Sequence, residues 1–254
     1  MYCPKCGTAV GGAGPAPRPV RRTSVMSPLA IAVLVVAVVL VVGATASAGF
    51  LGFFVPFSNI AGSGNQASRA ESYSGFTGVE LSSGFHFTIS RASTFSVVVT
   101  TDDNLLDYVQ VTMTGSMLSV GLAPGHGYQT TVLKVAIAMP DLTDLELSGG
   151  TSGTVTGLSS SGNLVVGSSG GSTVVVGGTA SSLQMDVSGG SQVDLSGLHV
   201  GDANVNLSGG SQATVNMDGT LNAALSGGSR LFYFGSPKMG AIDTSGGSAI
   251  TKLG

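Results

Sequence analysis

The phrase S-G-G-[S/T] opens at Ser148, Ser169, Ser188, Ser208, Ser226 and Ser245, at intervals of 21, 19, 20, 18 and 19 residues. Its glycines are Gly149 and Gly150, Gly170 and Gly171, Gly189 and Gly190, Gly209 and Gly210, Gly227 and Gly228, and Gly246 and Gly247. An apolar register runs through each copy. With the first serine counted as zero, position −3 reads Leu145, Val166, Met185, Val205, Ala223 and Ile242. Position −1 reads Leu147, Ser168, Val187, Leu207, Leu225 and Thr244, and position +7 reads Val155, Val176, Leu195, Val215, Tyr233 and Lys252. Polar residues such as Asp186, Gln192, Asp194 and Asn206 fill the places between. This alternation predicts strands with one buried face. Five copies also place glycine at +9, at Gly157, Gly178, Gly197, Gly235 and Gly254.

The block from −5 to +9 carries no insertion, and the differences in interval fall in the residues that follow it. A one-residue slip inside a strand would turn every side chain to the wrong face, whereas a turn absorbs an extra residue. A lone segment of this length cannot bury its apolar face, but stacked copies can. The chain is therefore expected to be all-β. The expected fold is a single-chain β-solenoid (β-helix) of about 19–20-residue coils, with about six coils in residues 142–254. A sandwich of hairpins is the competing arrangement. By parity, the second glycine of each phrase is expected to face out. The first glycine and the final Ser or Thr are expected to face the core, with hydroxyls paired along the stack. Residues 73–140 also alternate and are expected to form the first, less regular coils and a cap, completing an ectodomain over 73–254.

Composition agrees with this reading. The 254 residues include 40 glycines, yet 43% are hydrophobic, so apolar surface is available to bury. From residue 56 onward thirteen acidic residues face six basic ones. That balance gives no footprint for nucleic acid.

Leu29 to Val55 is an uncharged run of 27 residues, and a bilayer core needs about 20 in a helix. Arg18, Arg21 and Arg22 precede it. These features predict one N-terminal transmembrane α-helix over 29–55 in contact with membrane lipid, with residues 1–28 cytoplasmic and the C-terminal domain extracytoplasmic. Residues 56–72 are expected to be a polar linker. Ala46-Ser47-Ala48 would suit signal-peptide cleavage, but the long basic stretch before it and Phe50, Phe53 and Phe54 after it favour an uncleaved anchor.

The only cysteines, Cys3 and Cys6, lie in "MYCPKCG". This looks like the first knuckle of a zinc ribbon. Tetrahedral zinc needs four ligands, so two chains would have to share the ion. A degenerate remnant and a redox pair are the other readings. No cofactor is expected in the ectodomain.

Residues from about 76 to 254 resemble the putative auto-transporter adhesin, head GIN domain family. The resemblance rests on "FTGVELSSGFHFTI", "VVVTTDDNLLDYVQVTMTGSMLSVGL" and "VAIAMPDLTDLELSGG". It implies a β-helical surface domain and supplies no catalytic residue.

Other constellations carry little chemistry. Gly167-Ser168-Ser169-Gly170-Gly171 matches G-x-S-x-G by letter, but no helical pattern follows it. The glycine-rich phrases lack the lysine or helix start that a phosphate cradle uses. His86, His126 and His199 have no metal-ligand spacing. Asp186, Asp194 and Asp243, with Asn204, Asn206 and Asn222, are expected on the outward face, where they suit either solvent or sugar hydroxyls. Phe232 and Phe234 break the polar-out rule and mark an interaction patch or packing under the next turn. The sequence thus favours a non-enzymatic, membrane-anchored surface domain, an adhesin or an envelope interaction protein meeting a glycan or a protein. The alternatives are an envelope sensor coupled to the cytoplasmic stub, and a glycan-binding or glycan-cleaving β-helix.

Overall fold

The computed structural model describes residues 58–254. The cysteine stub with Cys3 and Cys6 and the apolar run 29–55 lie outside the described residues. Among the described residues, no helix is long and apolar enough to cross a membrane.

Each S-G-G phrase joins two strands, and each strand pairs in parallel with its counterparts in the neighbouring coils. Before the phrase, Leu145 lies opposite Val166, Val166 opposite Met185, Met185 opposite Val205, Val205 opposite Ala223 and Ala223 opposite Ile242. After it, Val174 lies opposite Val193, Val193 opposite Ala213, Ala213 opposite Leu231 and Leu231 opposite Ile250. The repeat register is therefore the pairing register, and the hairpin sandwich is ruled out. From Ser148 to Ser245 the chain makes five full turns of a β-solenoid. The inward positions form one continuous core in which Leu164, Val176, Leu195 and Val215 are fully buried.

The phrases stack as corners. The amides of Ser148, Ser169, Ser188, Ser208, Ser226 and Ser245 donate to Leu81, Leu147, Ser168, Val187, Leu207 and Leu225 carbonyls of the preceding coil at 2.8–2.9 Å. Within a corner the fourth residue donates back to the first, as Ser191 N–H does to the Ser188 carbonyl at 3.3 Å. Both central glycines have positive φ, 66° at Gly189 and 77° at Gly190. Two positive φ values with this hydrogen bond define a tight turn of type I′.

This geometry corrects the parity expectation at one position. Thr151, Ser172, Ser191, Ser211 and Ser229 face the core and are buried, as expected, but the first glycine is exposed like the second. Positive φ at two successive residues breaks the strand alternation. The hydroxyls pair along the stack only once, from Thr151 to Ser172 at 3.1 Å. Ser172, Ser211 and Ser229 instead donate to carbonyls of their own corners at 2.6–2.8 Å.

Two departures from the repeat are matched by the coil below. Val, Ala, Leu or Ile fills +5 in the later copies, but Gly153 stands there in the first. Its neighbour Phe87 fills that space: a Cβ on Gly153 would clash with the Phe87 carbonyl oxygen and lie 2.6 Å from its ring. Gly167, at −2, likewise leaves room for the Glu146 carboxylate.

The N-terminal coils do not stack in chain order. Strands Gly78–Leu81 and His86–Arg91 pair on one side with Asp144–Leu147 and Ser152–Ser159. On the other side they pair with Met117–Leu122 and Leu133–Met139. The chain thus lays down the second coil first, then the end coil, and returns to build outward from the second. Antiparallel strands close this end. Ser96–Asp102 pairs with Leu133–Met139, Gln66–Glu71 with Ser96–Asp102, and Val109–Thr114 with Met117–Leu122. The stretch 56–72, expected as a linker, instead contributes Gln66–Glu71 to this cap, and Asn59–Ala61 pairs with Gly127–Gln129.

The second coil also has a corner, which the sequence disguises. Register places Ser82, Ser83, Gly84 and Phe85 level with Ser148, Gly149, Gly150 and Thr151. Ser83 has φ 64°, the one positive value at a non-glycine among the described residues. Its hydroxyl accepts a hydrogen bond from Leu122 N–H at 3.2 Å. Phe85, in the fourth place, is fully buried.

Candidate functional site

The outward side chains of the strands before the corners form columns. One reads Glu80, Glu146, Gly167, Asp186, Asn206, Ala224 and Asp243 across successive coils. The next reads Asp144, Val165, Gln184, Asn204 and Asn222. Coil spacing of about 4.8 Å lets equivalent side chains meet. Asn206 Nδ2 donates to Asp186 Oδ1 at 2.8 Å, and Asn222 Nδ2 donates to Asn204 Oδ1 at 2.9 Å. Ala241 N–H then donates to Asn222 Oδ1 at 2.8 Å. These bonds fix the rotamers of an exposed ladder. Two open grooves lie along it. One of about 370 Å³ is lined by Asp186, Asn206, Asp243 and the corner serines, and one of about 360 Å³ by Asn204, Asn206, Asn222 and Ile242.

The acidic end of the column is electrostatically loaded. Partial burial raises the Glu146 pKa above the ordinary carboxylate range, and the charges of Asp144, Glu80 and Asp186 raise it further. The folded state therefore binds its proton at higher pH than the unfolded chain does. Stability from this group falls as pH rises from the unfolded pKa through the folded one. Glu146→Gln is expected to raise the melting temperature at pH 7, with the gain shrinking as pH falls through the raised folded pKa and vanishing below the ordinary carboxylate pKa. Thermal melts of both proteins from pH 3 to 7 check this.

The structure brings Asp186, Asn206 and Asp243 to one groove but separates Asp194 from them. Asp194 lies beyond the corner and accepts from Ser196 N–H at 2.9 Å. His86 is bonded to the Ser152 hydroxyl through Nδ1 at 2.7 Å. His199 lies 3.7 Å from an Asp218 carboxylate oxygen. Phe232 and Phe234 are both half-buried, and a Cβ added at Gly254 would reach the Phe234 ring at 3.7 Å. Among the described residues, no group of three His, Cys, Asp or Glu is placed to hold a metal.

Sequence reasoning missed two clusters in the cap. Asp102 is fully buried and accepts from Gly64 N–H, Thr131 N–H and the Thr131 hydroxyl at 2.5–2.9 Å. The Thr131 hydroxyl above all holds its pKa below the usual range, so Asp102 is a charged staple between two loops. Tyr108, His126 and Tyr128 meet edge to face, with ring centroids 5.7–6.0 Å apart, beside an open cleft of about 410 Å³. Aromatics at the end of a short helix and in or just before a three-residue strand give no period, so only the fold collects them.

Residues 75–237 match the family described as "Putative auto-transporter adhesin, head GIN domain". The chain belongs to this family. The match takes in most of the cap, though not its strand Gln66–Glu71, and most of the ladder, and it stops before Lys238–Thr244. Solved structures share the fold of this GIN domain at low identity. A "putative adhesin" from Bacteroides fragilis is 18% identical, with a TM-score of 0.65, over 76% of this chain and 100% of its own. A "putative adhesin" from Parabacteroides merdae is 17% identical, with a TM-score of 0.53, over 78% of this chain and 100% of its own. A "Putative lipid binding protein" from Parabacteroides distasonis is 17% identical, with a TM-score of 0.50, over 78% of this chain and 100% of its own. No curated protein matches the chain.

Proposed function

We propose that this GIN domain is a non-enzymatic recognition domain displayed outside the cell from the apolar segment 29–55, and that its ladder face binds a surface saccharide. The fixed Asp186–Asn206 pair beside an open groove carries the reading. Paired carboxylate and amide groups held in one rotamer present donors and acceptors at the spacing of vicinal hydroxyls, and preorganisation lowers the cost of binding. A stack of coils with one shared core gives the face rigidity. Family membership supports an adhesin-like role.

Residues 57–254 form one compact unit and suit a glycan array. Binding to a limited set of glycans is expected, with at least tenfold weaker binding by the Asp186→Ala, Asn206→Ala double variant, since each lost charged or bidentate contact is worth about 1.5–3 kcal/mol. Uniform absence of binding, or binding indifferent to that variant, would sink the saccharide assignment.

A further inference from the structure

Among the described residues, no further coil covers the one formed by Lys238–Thr244 and Ala249–Lys252. Lys238–Thr244 pairs only with Thr220–Leu225, and Ala249–Lys252 only with Arg230–Phe234, among the described residues. Both present an unpaired strand edge. Met239 and Ile242 lie in register with Leu221 and Ala223, which are buried, yet they are 44% and 42% exposed. Inward apolar side chains at a free strand edge are a template for another strand.

The residues of this edge specify which strand fits. Lys238 lies opposite Thr220 and Asp243 opposite Ala224, so both take the outward face, while Met239 and Ile242 take the inward one. A second copy of Lys238–Thr244 can run antiparallel about a two-fold axis between Gly240 and Ala241. Each Lys238 then faces Asp243 of the other copy on the outside, and each Met239 faces Ile242 on the inside. Between Met239 and Ile242 this strand carries one residue more than its partner, so a bulge at Gly240–Ala241 sits on the axis. On either side of it the outward–inward assignments agree, and both charge pairs are opposite in sign. A register one residue away would set outward side chains against inward ones. Pro237, just before the strand, lacks the N–H that would extend the ladder.

We propose that this edge binds a second copy of the same chain, tail to tail, through antiparallel pairing of Lys238–Thr244. The interface is isologous, so it closes at two copies and does not propagate into a fibre. At the other end Gln66–Glu71 and Val109–Thr114 are likewise paired on one side only among the described residues, and charge reversal at Lys238 and Asp243 tells the two ends apart. The proposal uses none of the ladder groups except Asp243, and it stands whether or not the ladder face binds saccharide.

The test is sedimentation of the full chain in detergent, comparing wild type, Lys238→Glu, Asp243→Lys and the double charge swap. Both substitutions sit on exposed side chains, and circular dichroism checks that each protein keeps its strands. By symmetry each single reversal sets like charges opposite each other twice, so a dimer constant at least about tenfold weaker is expected. The double swap restores both pairs and is expected to restore the dimer. A monomeric wild type overturns the proposal. So does a dimer indifferent to the single reversals, or a double swap that stays monomeric. The rescue separates this edge from any association through residues 1–57.

Discussion

Gly189→Ala is expected to destabilise the domain by more than Gly190→Ala, although both glycines are exposed and both lie at positive φ. At Gly190 a new Cβ would meet nothing within 4 Å. The cost there is the left-handed conformation alone, about 1–2 kcal/mol for a residue with a Cβ. At Gly189 the same conformational cost applies, and the Cβ would also lie 2.9 Å from the backbone nitrogen of Gly170 in the coil below. That atom is main chain and cannot rotate away, so the two coils must part at the corner. The parting stretches the Ser188 N–H bond to Ser168, now 2.8 Å long. A total of about 3 kcal/mol or more is expected at Gly189, by adding a typical overpacking cost of about 1–3 kcal/mol. Urea unfolding of the two variants measures the difference. Equal losses would mean that the corners do not bear on one another. Ser83 shows the rule from its exception, since beyond its coil the chain leaves the corner line as the loop from Leu122 to Leu133, and a side chain fits.

Phe85→Ala is expected to cost about 3–5 kcal/mol, the usual range for removing a buried aromatic side chain. Every later coil uses Ser or Thr at this place in the corner, so the repeat alone would rate the change as mild. The structure rates it otherwise. Phe85 is fully buried with Phe76, Leu81 and Ile89 where the antiparallel cap meets the parallel coils. A melting curve would show a large drop for Phe85→Ala and a much smaller one for Ser191→Ala. A drop below about 1 kcal/mol at Phe85, the scale of a surface change, would contradict the placement of its coil.

The solenoid was legible because one physical demand, equal parity in every coil, writes itself into the sequence at a fixed interval. Positions −3, −1 and +7 were read directly, and apart from Val176 and Leu195, at a local register shift, each meets its counterpart in the next coil. The corner was located correctly but its first glycine was misassigned, because alternation cannot register two successive residues at positive φ. Chain order at the N-terminal end was not legible either. Strands 78–91 carry the same pattern as the later coils, and alternation says nothing about which neighbour a strand takes. One signal was available: "LSSGFH" at 81–86 aligns with "LSGGTS" at 147–152, and the resemblance foretells the hidden corner. The ladder face was half legible. Outward Asp and Asn were identified, but the bond from Asn206 to Asp186 depends on coils stacking in register. The Tyr108, His126 and Tyr128 cluster left no pattern, since Tyr108 ends a short helix and meets His126 and Tyr128 only through the fold.

The central claim is that residues twenty apart along the chain are neighbours across it. Gln192 and Gln212 are exposed and directly paired, one coil apart, while Arg230 lies one coil further. Adjacent coils sit about 4.8 Å apart, so side chains two coils apart are about twice as distant. The direct measurement is cross-linking of paired cysteines with the shortest bifunctional thiol reagent, read by mass spectrometry. The solenoid predicts an efficient bridge between Gln192→Cys and Gln212→Cys, and little between Gln192→Cys and Arg230→Cys. A folded protein in which the first pair fails to bridge would contradict the stacked fold.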